Sequence, residues 1–120
     1  MSNKKTILCV DDEKDILELF RDQLEESGFN VLEANNGKEA FKIFQGGGVD
    51  CILSDIRMPG GDGVELVKNV KGTGSTIPIF FVTGFSDYTA DELMGLGINA
   101  VIFKPFDLEE VVNMVSSTIS

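Results

Sequence analysis

Three unbroken apolar runs constrain this chain most: Ile7-Leu8-Cys9-Val10, Cys51-Ile52-Leu53 and Ile79-Phe80-Phe81-Val82. Runs this short, with no polar alternation, read as strands buried on both faces. Apolar residues at helical spacing follow the first two of them and recur at the end of the chain. Ile16, Leu17, Phe20 and Leu24 form one such stripe, and Leu66, Val67 and Val70 another. Ala40, Phe41, Ile43 and Phe44 make a third between the first two runs. Leu108, Val111, Val112, Val115 and Ile119 give the clearest pattern, with Asp107 placed to cap it. Phe29 to Ala34 reads as a weaker edge strand, and Ala100 to Phe103 as a last one. A short fourth helix is expected at Tyr88 to Met94, capped by Ser86 or Asp87. Gly95 and Gly97 close behind should make it the least stable.

Strand and helix thus alternate five times, the pattern of a parallel sheet covered on both faces by right-handed crossovers. Five such strands predict a flavodoxin-like, doubly wound α/β fold of order 2-1-3-4-5 with five helices. A chain of 120 residues should hold this as one domain, residues 1–120. The carboxyl ends of all five strands then share one edge, where open α/β sheets bind ligands. Asp11 and Asp12 fall there from the first strand, Asp55 from the third, Thr83 from the fourth and Lys104 from the fifth. Taken singly, an acid at a strand end is a solvated loop residue or a helix cap. Thr before Gly is a turn residue, and Lys before Pro a surface charge. Four strand ends in agreement point to a site.

Clustered carboxylates repel and need positive charge nearby. Lys104 supplies one, and Mg²⁺, which prefers oxygen ligands and phosphate, is the natural second. An aspartate beside such an ion can act as a nucleophile toward phosphorus. Thr83 can donate to a phosphoryl oxygen. The chain has no histidine, so its chemistry rests on carboxylates, hydroxyls and lysine. A formal net charge of −10 argues against unaided binding of nucleic acid or anionic membrane. Cys9 and Cys51 lie inside apolar runs and read as small buried hydrophobes. With no signal peptide and no stretch of spanning length, the chain is expected to be cytoplasmic.

Ile7 to Glu13 (ILCVDDE), Leu53 to Gly63 (LSDIRMPGGDG), Val82-Thr83 and Lys104-Pro105-Phe106 resemble the signature set of response-regulator receiver domains. The resemblance covers nearly the whole chain. It implies that Asp55 is the phosphoacceptor, taking a phosphoryl group from a histidine kinase or a histidine phosphotransfer protein. It implies that Asp11, Asp12 and Asp55, with the backbone carbonyl of Arg57, hold Mg²⁺. Thr83 and Lys104 would bind the phosphoryl oxygens, and Lys104–Pro105 would be a cis peptide. Output would pass to a downstream protein through the face of the fourth helix, fifth strand and fifth helix. Such a domain is a signalling switch that catalyses only its own phosphorylation and dephosphorylation.

The chain departs from the family pattern in three places. Val101 stands where an aromatic residue is common, Phe103 where a polar one is usual, and the interval from Thr83 to Lys104 is about one residue short. Val101 and the short fourth helix are the only support for a second reading, an interaction module that keeps the fold and works without phosphorylation. A metal-dependent phosphatase is disfavoured because Arg57, not Asp, lies two residues past Asp55. A flavin-binding electron carrier is disfavoured because no Ser/Thr/Gly-rich phosphate loop follows the first strand.

Overall fold

The computed structural model describes residues 4–84 and 88–119. Its elements run β1 (Thr6–Val10), α1 (Lys14–Glu26), β2 (Asn30–Ala34), α2 (Gly37–Gln45) and β3 (Cys51–Ser54). They continue as α3 (Gly63–Gly72), β4 (Ile79–Thr83), α4 (Ala90–Met94), β5 (Ala100–Phe103) and α5 (Leu108–Ile119). The strands form one parallel sheet of order β2-β1-β3-β4-β5, the flavodoxin-like arrangement expected from the alternation.

Burial explains why the strand runs carry no polar alternation. Leu8, Val10, Ile52, Ile79 and Phe81 pack to one side with α2, α3 and α4. Ile7, Cys9, Cys51, Leu53, Phe80 and Val82 pack to the other with α1 and α5. Successive strand side chains point to opposite faces, so a strand covered on both must be apolar throughout. Each such side chain contributes about 1.5–3 kcal/mol when removed from water. Both cysteines are fully buried, and burial pushes the Cys51 thiol up to about 12 and that of Cys9 higher still. They are neutral packing residues.

The helix stripes behave as their spacing predicts. Leu17, Phe20 and Leu24 are buried on α1, and Val111, Val112 and Val115 on α5. On α2, Ala40 is fully buried, while Phe41, Ile43 and Phe44 are only partly so. Gly28, at φ +97, ends α1 in the left-handed region, and Phe29 N donates back to Leu24 O at 3.1 Å. Asp107 caps α5 through Glu109 N at 3.0 Å. The ring of Phe106 stacks on that of Phe20, centroids 5.3 Å apart, tying the corner after β5 to α1.

The start of α4 differs from the sequence expectation. Ser86 and Asp87 lie outside the described residues. Thr89 is the N-cap, in a capping box with Glu92, so the helix begins at Ala90, two residues later than expected. Tyr88 precedes it.

Candidate functional site

Register places the site. β1 and β3 are neighbours with Val10 opposite Ser54, and each strand ends one residue before an aspartate. Asp55 N donates to Val10 O at 2.9 Å, and Asp11 N to Ala34 O at 3.2 Å, so both acids leave the sheet on anchored backbone. Asp11 is 3% exposed and Asp55 9%. Asp12 is exposed beside them. Carboxylate oxygens of Asp11, Asp12 and Asp55 lie within 4.8 Å of one another. Arg57 follows in the loop after β3 with its side chain exposed.

Lys104 reaches in from the end of β5. Its ammonium is 3.2 Å from Asp55 Oδ2 and 3.6 Å from Asp11 Oδ2. Lys104 N donates to Thr83 O at 2.8 Å, so the ends of β4 and β5 are tied where the two residues emerge. Thr83 is buried, and the Lys104–Pro105 peptide is cis. The remaining carboxylate oxygens are held by backbone amides. Ile56 N donates to Asp55 Oδ1 at 2.7 Å, and Glu13 N to Asp11 Oδ1 at 2.9 Å.

Electrostatics follow from this packing. Burial pushes the Asp11 carboxyl up to about 6, against the pull of the Glu13 amide and of Lys104. The charges of Asp55 and Asp12 add to the rise. For Lys104, partial burial pulls the ammonium's pKa down. The charges of Asp11 and Asp55 outweigh that and hold it above the usual lysine value. The Lys104 ammonium pairs with Asp11 and Asp55, and the carboxylate of Asp12 lies in the same cluster. Three hard oxygen donors at this separation fit a small divalent cation such as Mg²⁺.

The structure brings together the strand ends named from the sequence, and it adds residues that brace them. Ser54 Oγ donates to Asp55 O at 2.6 Å. Gly63 opens α3 against that same carbonyl: a Cβ there would collide with Asp55 O and come within 2.9 Å of the Phe81 ring. Gly84 passes beside the stem of Lys104, where a Cβ would sit 3.4 Å from Cδ. The Asp62-Gly63 pair at a helix start was a visible signal, since Asp62 caps α3 through Glu65 N. The collision with Asp55 is a contact through space and leaves no mark in the sequence.

Comparison with known proteins gives a consistent picture. The sequence model of the response regulator receiver domain matches residues 7–116. The chain is 33% identical over 120 residues to the transcriptional regulatory protein FixJ of Bradyrhizobium diazoefficiens, covering 99% of this chain and 58% of that protein. It is 38% identical over 111 residues to the alkaline phosphatase synthesis transcriptional regulatory protein PhoP of Bacillus subtilis, covering 91% and 45% respectively. It thus spans about half the length of the curated relatives it matches. Among solved structures, the response regulator protein TrrA from Thermotoga maritima, in complex with Mg²⁺-BeF, superposes with a TM-score of 0.84 at 34% identity, covering 94% of this chain and 97% of that one. The chemotaxis response regulator CheY4 of Vibrio cholerae gives 0.87 at 29% identity, covering 96% and 98%.

Proposed function

Since this chain belongs to the response-regulator receiver domain family of two-component signalling, we propose that it is a switch thrown by phosphorylation of Asp55. The observation that carries this reading is the convergence of Asp11, Asp12, Asp55 and Lys104 at one strand edge, with Lys104 bridging the two buried acids. A carboxylate oxygen of Asp55 forms the new O–P bond as the P–N bond of a partner's phosphohistidine breaks. The phosphate donor is a histidine kinase or a histidine phosphotransfer protein. Lys104 offsets charge on the phosphoryl oxygens, and the Thr83 hydroxyl donates to one of them. Asp11, Asp12, Asp55 and the Arg57 carbonyl would hold Mg²⁺, which supplies neutralisation of phosphoryl charge when bound. Water later hydrolyses the acyl phosphate, so the chain acts catalytically only on itself.

Residues 1–120 make up one such receiver unit, working in the cytoplasm. Its output is recognition of a downstream protein through the α4–β5–α5 face. Val101 is partly buried against the core on the α2–α4 side, and no aromatic ring occupies its position. The signal is therefore carried by reshaping of α4 and its flanking loops. Amides of α4 that exchange equally fast with and without a phosphoryl mimic would refute that route.

The phosphoswitch is tested by intact mass after incubation with a small acyl phosphate, with and without Mg²⁺, on wild type and Asp55→Asn. A Mg²⁺-dependent adduct on the wild type alone is expected. An adduct retained in Asp55→Asn would refute the assignment of Asp55. No adduct on a folded, Mg²⁺-binding wild type, even with a histidine phosphotransfer donor, would favour an interaction module independent of phosphorylation.

A further inference from the structure

β5 closes one side of the sheet and is paired with β4. Edge strands are ordinarily blunted by Lys, Pro or charge, yet β5 reads Ala-Val-Ile-Phe. Phe103, at its end, is half exposed. A groove of about 310 Å³ lies between this strand and α5. Phe103, Pro105, Phe106 and Met114 give it an apolar lining, and Asp107 and Glu110 line it as well. An uncharged edge and a half-exposed Phe103 beside a groove of mixed apolar and acidic lining make a surface a partner can cover.

Charge on the elements of this side is mostly negative. From residue 88 to residue 119 the chain carries Asp91, Glu92, Asp107, Glu109 and Glu110, all exposed, and one base, Lys104. The ammonium of Lys104 is turned inward to Asp11 and Asp55. Lys68 of α3 approaches α4 in a separate groove with Tyr88, Asp91 and Glu92, Lys71 lies beside Gly97 ahead of β5, and among the described residues no cation lines the β5–α5 groove.

We infer that the β5–α5 groove docks a basic protein segment bearing an apolar anchor, and that it does not pair with a second copy of this chain. This partner chemistry rests on the docking role proposed above for the α4–β5–α5 face. The lining takes the anchor, and Asp107, Glu109 and Glu110 take the partner's Lys and Arg. A two-fold contact centred on this groove would bring two copies of its acidic rim together, which is repulsive.

The test uses the full chain, a lysine-rich peptide with a central phenylalanine, and its glutamate-for-lysine counterpart. Binding is mapped by amide NMR shifts before and after acyl phosphate treatment. The basic peptide should shift Phe103, Phe106, Glu110 and Met114, and bind at least about tenfold tighter than the acidic one. Added salt should weaken it. Glu109→Lys combined with Glu110→Lys should cut affinity about tenfold, while Glu25→Lys with Glu26→Lys on α1 should leave it unchanged. Equal binding of both peptides, shifts centred elsewhere, or a dimer broken by Phe103→Asp would each overturn the inference. Peptide binding without an adduct on Asp55, even from a histidine phosphotransfer donor, would sink the switch alone. An adduct without peptide binding at this groove would sink this inference alone.

Discussion

Asp11→Asn should make the metal-free protein more stable at neutral pH, and the gain should vanish as pH falls. Asp11 is buried at the end of a central strand, and its folded carboxyl titrates at about 6 against an ordinary 3.8. Between those values the folded chain holds a proton that the unfolded chain has released. Stability rises with pH only where the unfolded state binds more protons. Here it binds fewer, so wild-type stability must fall as pH climbs from about 4 to about 6. At ~1.4 kcal/mol per pH unit the interval from 3.8 to about 6 amounts to about 3 kcal/mol. Above about pH 6 the loss is complete and constant. Asparagine cannot ionise, yet its Oδ1 can still accept from Glu13 N. The assay is urea unfolding in EDTA across pH 4 to 8 for both proteins, reading the difference between their stabilities. Other titrating groups are common to both and largely cancel. That difference should grow by about 3 kcal/mol with rising pH and then level off. A pH-independent difference, or one that grows toward acid, would refute the reasoning.

Mg²⁺ should reverse this pattern, because protons on Asp11 compete with it: tenfold more free ion than its Kd stabilises by about 1.4 kcal/mol, and a thermal melt should show the effect stronger at pH 8 than at pH 5. Lys104→Met should destabilise the metal-free protein by about 1–3 kcal/mol by leaving buried carboxylates without their cation, with Mg²⁺ recovering part of the loss in the same melt. Gly63→Ala should cost at least about 2 kcal/mol because its Cβ meets Asp55 O, whereas Gly72→Ala, with open space around it, should gain about 0.5–1 kcal/mol; paired urea curves distinguish the two. Thr89→Ala should remove the capping box of α4 at a cost of about 1 kcal/mol, read as lost stability in the same urea series.

Much of this was legible in the sequence because buried parallel strands leave an unmistakable apolar run. β1, β3, β4 and β5 fall where those runs predicted, and their carboxyl ends deliver Asp11, Asp12, Asp55, Thr83 and Lys104 to one edge. The order of strands followed from alternation and handedness, which are general rules. The start of α4 was harder, since Ser, Asp and Thr are comparable N-caps and four of the residues from 86 to 91 are of those types. What the sequence did not carry was contact set by the folded backbone, between neighbours as well as across the chain. Gly63 against Asp55 O, Gly84 against the Lys104 stem and Ser54 on the Asp55 peptide are all products of the assembled sheet.

The stacked pair of Phe20 and Phe106 has a genetic consequence. Phe106 lies two residues after Lys104, and its ring is clamped by a side chain from the middle of α1. The corner that aims the ammonium is thus held from the opposite end of the chain. A selection for signalling-dead alleles should therefore recover Phe20, a residue with no part in the chemistry, alongside the aspartates. Among suppressors of such an allele, bulky replacements at neighbouring α1 positions should outnumber changes in the loops around Asp55.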